Sequence, residues 1–212
     1  MTLIQRSTLI AAAVAAYLVG SWPTWMLRDF VLQVFGNPPY EGIWILIPHA
    51  FLYSTLPALF CIAAWVVLAG IGWMPALKLS SRWRTLGWGL GAGLVSIAIL
   101  VAFFFATGQA SAFHEPQVDP WLASANVFSN FYEELIFRGF ILVALTAALG
   151  FGPAAVISSL AFGATHTQYP LVLQGLIAAL ALLWAWAAKL GGGLLAPYTA
   201  HMALDWLIDP IL

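Results

Sequence analysis

The residues that could carry chemistry occur in three short groups, and each group lies in a strongly apolar stretch of the chain. The groups are Glu133 and Glu134 with Arg138, then His166, then His201 with Asp205. An ionisable side chain inside an apolar membrane segment is costly unless it is paired or used, and it usually marks function. These residues are therefore the candidates for a functional site.

The first group predicts two carboxylates with different surroundings. Glu134 and Arg138 stand four residues apart, so on a helix they share a face and can form an ion pair. Glu133 points about 100° away from Glu134 and has no partner on its own helix. The alternative is that both carboxylates are solvated near a helix N-terminus, where negative charge is favoured.

The other two groups place imidazoles in apolar helices. His201 and Asp205 are four residues apart and share one helix face. The alternative for this pair is a self-satisfied contact that holds helices together. His166 ends an apolar stretch, and a single histidine there is compatible with either a structural or a catalytic role.

Composition indicates the kind of elements that must position these groups. Of the 212 residues, 63% are hydrophobic and 7% are charged, whereas soluble domains carry roughly 25% charged residues. The sequence therefore predicts an all-α, polytopic transmembrane bundle of about seven spans, forming a single domain over residues 1–212. The net charge of −1 gives no indication of a nucleic-acid partner.

Apolar runs and turn residues predict where the spans lie. A break is expected in the second span at Pro48 and Pro57, and a cleavable signal peptide is the alternative for the first span. Residues 125–209 contain all three polar groups and form the predicted catalytic region. The predicted spans are Thr8–Trp22, Ile43–Ile71, Leu86–Thr107, Ala125–Leu149, Ala154–His166, a sixth ending at Lys189, and Leu194–Asp209.

The depths of the polar groups agree with one another. Glu133 lies in the first half of the fourth span, His166 at the end of the fifth, and Asp205 beyond the middle of the seventh. If successive spans are antiparallel, these groups lie in the same half of the bilayer. One polar cluster at one depth predicts an active site or a transport site.

The distribution of charge predicts an orientation. Basic residues fall on one side of the seven predicted spans, and the acidic loop with Glu115 and Asp119 falls on the other. The positive-inside rule then places the N-terminus in the cytoplasm and the polar cluster in the outer half of the membrane. The basic residues are Arg6, Lys78, Arg82, Arg84 and Lys189.

The three groups resemble motifs of the CAAX-processing and bacteriocin-processing (CPBP, or ABI) family of intramembrane endopeptidases. The resemblance rests on Glu-Glu-x-x-x-Arg at residues 133–138, Phe162-x-x-x-His166, and His201-x-x-x-Asp205. It implies a protease in which Glu133 activates water and His166 assists. It also implies that His201 and Asp205 position the water or stabilise the oxyanion, while Glu134 and Arg138 orient Glu133.

The residues themselves leave the chemistry open between two forms. A carboxylate in a cavity of low dielectric suits a general base, and imidazoles can donate to an oxyanion. An ionised Asp205 cannot donate, so it would instead orient His201 or act while protonated. Zinc is the alternative cofactor, with Glu133, His166 and His201 as ligands, but metal-free chemistry is favoured because there is no His-Glu-x-x-His run.

The expected function is hydrolysis of a peptide bond in a membrane-anchored protein or peptide. The expected location is a bacterial inner (plasma) membrane, with the lipid bilayer as the surrounding partner. Two other functions fit the same residues: a transporter with a buried Glu/His/Asp site, and a non-catalytic immunity or scaffold protein. The absence of an evident inverted repeat argues mildly against the transporter.

Overall fold

The structure is a computed structural model, and it describes residues 1–21, 30, 33–36, 42–47, 55–75, 78–79 and 83–211. Helices make up most of these ranges, and no strand occurs within them. The predicted all-α class is therefore confirmed. Three positions named above, Trp22, Pro48 and Arg82, lie outside the described residues.

The helices follow the order of the apolar runs in the sequence. A π-helix, Leu135–Ile141, joins α5 to α6, and short 3₁₀ turns cover Ala110–Ala112 and Asp209–Ile211. The α-helices are α1 (Leu3–Ser21), α2 (Ile43–Ile47), α3 (Thr55–Gly70), α4 (Trp83–Ala106), α5 (Pro120–Glu134), α6 (Leu142–Leu149), α7 (Phe151–Thr165), α8 (Leu171–Gly191) and α9 (Leu195–Ile208).

Two of the described helices, α4 and α8, are long and apolar enough to cross a bilayer. Shorter apolar stretches lie in α1, α3 and α7. Exposed apolar side chains are abundant on α4, for example Leu90, Leu94 and Val95, as expected for a surface that faces lipid. These observations fit a membrane bundle, while the number of seven spans stays a prediction.

Local chemistry explains two differences from the predicted boundaries. The fourth predicted span begins at Pro120 and not at Ala125, because the Asp119 carboxylate caps the helix by accepting from the backbone N–H groups of residues 121 and 122. Proline also suits the first helical position. In the second predicted span, Pro57 lies in the first turn of α3, where a missing N–H is tolerated.

Small residues allow α4 to approach α9 closely. A Cβ added at Gly89 would lie 2.6 Å from the Ala196 carbonyl oxygen, and one at Gly93 would lie 2.8 Å from the Ala203 Cβ. Small residues four apart give such close backbone packing between membrane helices. This contact fixes α9, which carries His201 and Asp205.

A second close contact fixes the helix that leads to His166. At Gly163 of α7, an added Cβ would lie 2.5 Å from the Gln174 carbonyl oxygen and 2.8 Å from the Ala178 Cβ on α8. The Thr85 hydroxyl of α4 donates to the Gly191 carbonyl at the end of α8, at 2.8 Å. Helices α4, α7, α8 and α9 therefore form the packed frame around the polar groups.

Candidate active site

A ladder of polar contacts connects α5 with α9. Residues spaced by four on α5 meet, in reverse order, residues spaced by four on α9 and at the start of the 3₁₀ turn that follows it, so α5 and α9 run antiparallel. We call this set of contacts the polar ladder. Its rungs are Asn126 Nδ2 to Asp209 Oδ2 at 2.7 Å, Asn130 Nδ2 to Asp205 Oδ2 at 2.7 Å, and Glu134 Oε1 to His201 Nδ1 at 3.0 Å.

The innermost rung is completely buried on the Glu134 side, and it carries the predicted ion pair. Glu134 has no exposed surface, and its Oε1 also accepts from Arg138 Nη1 at 3.0 Å. The Arg138 guanidinium lies over the ring of Phe162, 4.3 Å from its centroid, and Nη2 donates to the Ala181 carbonyl at 3.4 Å. This buried pair joins the π-helix to α7 and α8.

Glu134 also selects the hydrogen-bonding state of His201. A carboxylate oxygen accepts, so the Nδ1 of His201 carries the proton in this contact. In the neutral imidazole Nε2 is then an acceptor, and Nε2 donates only in the imidazolium form. The Asp205 Oδ2 lies 3.6 Å from Nε2, and the ring of Trp184 lies 4.5 Å from the His201 ring.

His166 has a similar arrangement at the end of α7. Its Nδ1 lies 2.9 Å from the Phe162 carbonyl oxygen, which can only accept, so Nδ1 donates there. The Nε2 atom is thus left as the acceptor of the neutral ring. The ring also stacks on Tyr169, with centroids 6.3 Å apart.

Four residues singled out in the sequence line one cavity of about 320 Å³. We call this the site cavity. Glu133, His166 and Asp205 are half-buried and His201 is buried, so their polar groups lie in a recess and not on a flat surface. The four lining residues are Glu133, His166, His201 and Asp205.

Glu134 and Arg138 lie behind the wall of the site cavity and do not line it. The adjacent glutamates therefore have different surroundings, as their spacing on a helix predicts. Glu133 reaches the cavity, whereas Glu134 is held by Arg138 and His201. The structure thus brings together the three motifs, and the catalytic roles of their residues stay predictions.

The π-helix begins directly after the two glutamates. All seven of its residues are buried, and the backbone N–H of Leu142 bonds to the Phe137 carbonyl, five residues back. Such wide turns often occur at functional sites. The sequence alone did not predict this feature, because a π turn has no distinct pattern of apolar residues.

Several residues of the site are indicated only weakly, or not at all, by the sequence pattern. The sequence indicates only a supporting role for Asn130, which lies one turn before Glu133 and Glu134, whereas in the structure it holds Asp205; Asn126 and Asp209 form a further rung. The spacing of Asn126, Asn130 and Glu134 by four was the available signal. The contact of Trp184 Nε1 with the Ser96 hydroxyl, at 2.9 Å, fixes the indole beside His201 and had no sequence signal.

The arrangement of possible metal ligands bears on the predicted zinc site. Among the described residues, no group of three or more His, Cys, Asp or Glu side chains is placed to hold a metal ion. In addition, Nδ1 of His201 is bonded to Glu134 and Nδ1 of His166 to a carbonyl. These bonds leave Nε2 of both rings as the atom that can accept a proton or bind a metal, so a zinc site at Glu133, His166 and His201 stays a prediction.

The fold and the cavity together define a class, namely helical membrane proteins with a recessed carboxylate–imidazole site. Comparison with known families is more specific. Residues 115–207 match the sequence model of the type II CAAX prenyl endopeptidase Rce1-like family. Searches of curated proteins and of solved structures gave no significant match.

The family match confirms the resemblance predicted from the three motifs. The matched residues 115–207, less than half of the chain, are similar to this family, and they run from α5 through the π-helix, α6, α7 and α8 to residue 207 in α9. The family supports a membrane-embedded protease. The transporter and scaffold alternatives are not favoured by this match.

Proposed function

We propose that this protein is an intramembrane endopeptidase that hydrolyses a peptide bond of a membrane-associated or lipid-anchored protein or peptide. One observation carries the proposal: Glu133 lines the same cavity as His166, His201 and Asp205. The cavity is large enough for part of an extended peptide, since small-molecule sites span about 300–1,000 Å³.

In this mechanism Glu133 is the general base. It is the glutamate that reaches the site cavity, and the neighbouring Glu134 is already engaged by Arg138 and His201. Glu133 takes a proton from a water molecule as that water attacks the peptide carbonyl. It then returns the proton to the amine of the leaving peptide, as a positioned acid–base group does. His166 assists by accepting a hydrogen bond from the water through Nε2.

His201 stabilises the tetrahedral intermediate in its imidazolium form. Its Nδ1–H is held by Glu134, which leaves Nε2–H to donate to the oxyanion. Asp205 accepts from Asn130 and lies 3.6 Å from Nε2, so it orients the ring and balances its charge. This role resolves the difficulty that an ionised Asp205 cannot donate to an oxyanion.

We propose glutamate chemistry in preference to zinc chemistry. The support is that, among the described residues, no group of three or more His, Cys, Asp or Glu side chains is placed to hold a metal ion. No step of the mechanism is routed through a metal ion.

We also propose that the chain spans a bacterial plasma membrane about seven times, with the site in the outer half. In support, two of the basic residues that the positive-inside rule assigns to the cytoplasmic side, Lys78 and Lys189, line the same cavity. That cavity lies at the end of α8 away from the site cavity. A substrate on the outer side would be a secreted or membrane-anchored protein. The residues of the site do not distinguish prenylated C-termini, peptide leaders and sorting tails.

The test is cleavage of a membrane-anchored substrate by the purified protein in proteoliposomes. Glu133→Gln removes the base and is expected to lower turnover by about 100-fold or more. The matched control is Glu115→Gln, which makes the same chemical change in an exposed loop and is expected to keep full turnover. Unchanged turnover in Glu133→Gln would overturn the mechanism.

A further inference from the structure

The second cavity has no part in the proposed reaction. It has a volume of about 440 Å³ and lies where α3, α6, α8 and the π-helix come together. We call it the basic cavity because Lys78 and Lys189 are among its lining residues, with Arg138 at its inner wall. Among the described residues, no Asp or Glu lines it.

The remaining lining is mostly apolar. Trp65, Leu142, Val143 and Phe151 supply large side chains, and glycine residues of the turn after α8 supply backbone. Small-molecule sites have this character, with apolar walls and a few convergent polar groups. A ligand that matches the basic cavity must therefore combine an apolar part with negative charge.

Lys189 is held at the rim by aromatic rings. Its Nζ lies 4.1 Å from the centroid of the Phe151 ring and 4.9 Å from that of Trp186. No ion pair formed among the described residues involves Lys78 or Lys189. Both side chains are exposed, so their charges are available to an anion.

The location favours a lipid over a soluble anion. The basic cavity lies at the end of α8, a helix long and apolar enough to span a bilayer, and Lys189 stands in its last turn. Basic pockets between membrane helices on the cytoplasmic side bind the head groups of anionic lipids. The cavity is smaller than a whole phospholipid, so most of the lipid's acyl chains would stay in the bilayer.

We propose that the basic cavity binds an anionic phospholipid, with its phosphate between Lys78 and Lys189 and part of one acyl chain against Leu142 and Val143. The bound head group lies at the end of α8, whereas Leu173 at the start of α8 lines the site cavity. Arg138, which lines the basic cavity, also holds Glu134. The lipid therefore occupies a cavity that is also lined by a residue that positions the polar ladder.

The test is lipid retention by the full-length protein in native mass spectrometry, with phosphatidylglycerol compared with phosphatidylcholine. The wild-type protein is expected to retain phosphatidylglycerol about tenfold more strongly, because each basic residue near the surface adds to the attraction. The Lys78→Gln/Lys189→Gln double variant is expected to lose this preference. Arg84→Gln is the matched control, since Arg84 is exposed and lies in the first turn of α4 but does not line the cavity.

A steric variant tests the apolar wall separately from the charge. Ala147→Phe places a ring in the basic cavity and is expected to release phosphatidylglycerol although both lysines remain. The proposal is overturned if the double variant retains phosphatidylglycerol as well as wild type does, or if wild type shows no head-group preference. Displacement of the lipid by millimolar inorganic phosphate alone would assign the site to a free anion and would also overturn it.

Discussion

The site cavity and the basic cavity occupy opposite ends of the same helices and differ in almost every chemical respect. Leu173 at the start of α8 lines the site cavity, and Lys189 at its end lines the basic cavity. The site cavity contains carboxylates and imidazoles, and among the described residues no Lys or Arg lines it. The basic cavity has the opposite charge and apolar walls.

The difference shows that one helical bundle keeps the residues of the proposed reaction apart from the residues of the proposed lipid site. Polar residues at one end are fixed by side-chain contacts between α5 and α9. Lysine at the other end is held by aromatic rings, without a fixed ion pair to a described residue. Glu134 and Arg138 form the connection between the two ends, because Glu134 holds His201 and Arg138 lines the basic cavity.

The largest expected effect comes from removing the ion pair between Glu134 and Arg138. Arg138→Met removes the guanidinium from the fully buried Glu134 carboxylate and leaves His201 as its remaining hydrogen-bond donor, and breaking a buried pair on one side costs about 3–5 kcal/mol. The free energy of unfolding in detergent, followed by circular dichroism, measures the loss. The double variant Glu134→Gln/Arg138→Met is expected to recover part of it, because no buried charge then remains unpaired. Equal stability of Arg138→Met and wild type would contradict the conclusion that Arg138 and Glu134 form a stabilising buried pair.

A smaller effect is expected from separating α4 and α9. Gly93→Ala places a methyl group 2.8 Å from the Ala203 Cβ, and overpacking of this kind costs about 1–3 kcal/mol. The shift of α9 also moves His201 and Asp205, so proteolysis is expected to fall together with thermal stability. Gly91→Ala on the same helix is the control, since an added Cβ there meets nothing within 4 Å. If both variants behave alike, the close packing is not what positions α9.

The rungs of the polar ladder are expected to differ in importance. Asn130→Ala removes the hydrogen bond that holds Asp205, and a single hydrogen bond is worth about 1 kcal/mol, or roughly fivefold in turnover. Asn126→Ala removes the outer rung to Asp209 and is expected to cost less, because Asp209 does not approach His201 within the ladder. Turnover of the same substrate by the two variants decides the order. A larger loss of turnover in Asn126→Ala than in Asn130→Ala would contradict the proposal that the inner rungs of the polar ladder matter more to the reaction than the outer one.

The smallest effect is expected from metal removal. If the reaction uses glutamate chemistry, incubation with a chelator followed by dialysis leaves proteolysis within about twofold of its starting rate, whereas removal of an essential catalytic metal abolishes the reaction. Metal analysis of the purified protein, before and after treatment, accompanies the assay. Loss of activity that returns on adding Zn²⁺ would replace the proposed mechanism with a metal-dependent one.

Much of the site was predictable because rare ionisable residues in apolar helices are informative. Glu133, His166, His201 and Asp205 were selected for that reason, and all four line one cavity. The pair of Glu134 and Arg138 followed from a spacing of four residues. These predictions needed only helix periodicity and the cost of burying charge.

Other features depend on tertiary contacts that the spacing of one helix does not encode. Asn126 and Asp209 are ordinary polar residues until the antiparallel packing of α5 and α9 pairs them. The basic cavity forms because Lys78, before α4, comes next to Lys189 at the end of α8. The sequence predicts a polar loop at Asp119 and a span from Ala125, whereas Asp119 caps a helix that begins five residues earlier, at Pro120.

The wide turn between Leu135 and Ile141 sets the rotational phase between the glutamates and the helix that follows them. A turn closed by i to i+5 bonds contains one residue more than an α-helical turn. Winding the same residues as an α-helix would rotate the glutamate face by about 100° relative to α6, whereas deleting one residue and restoring ordinary winding would leave the two segments in phase. The wide turn thus accommodates an additional residue while Glu133, and not its neighbour, stays open to the recess.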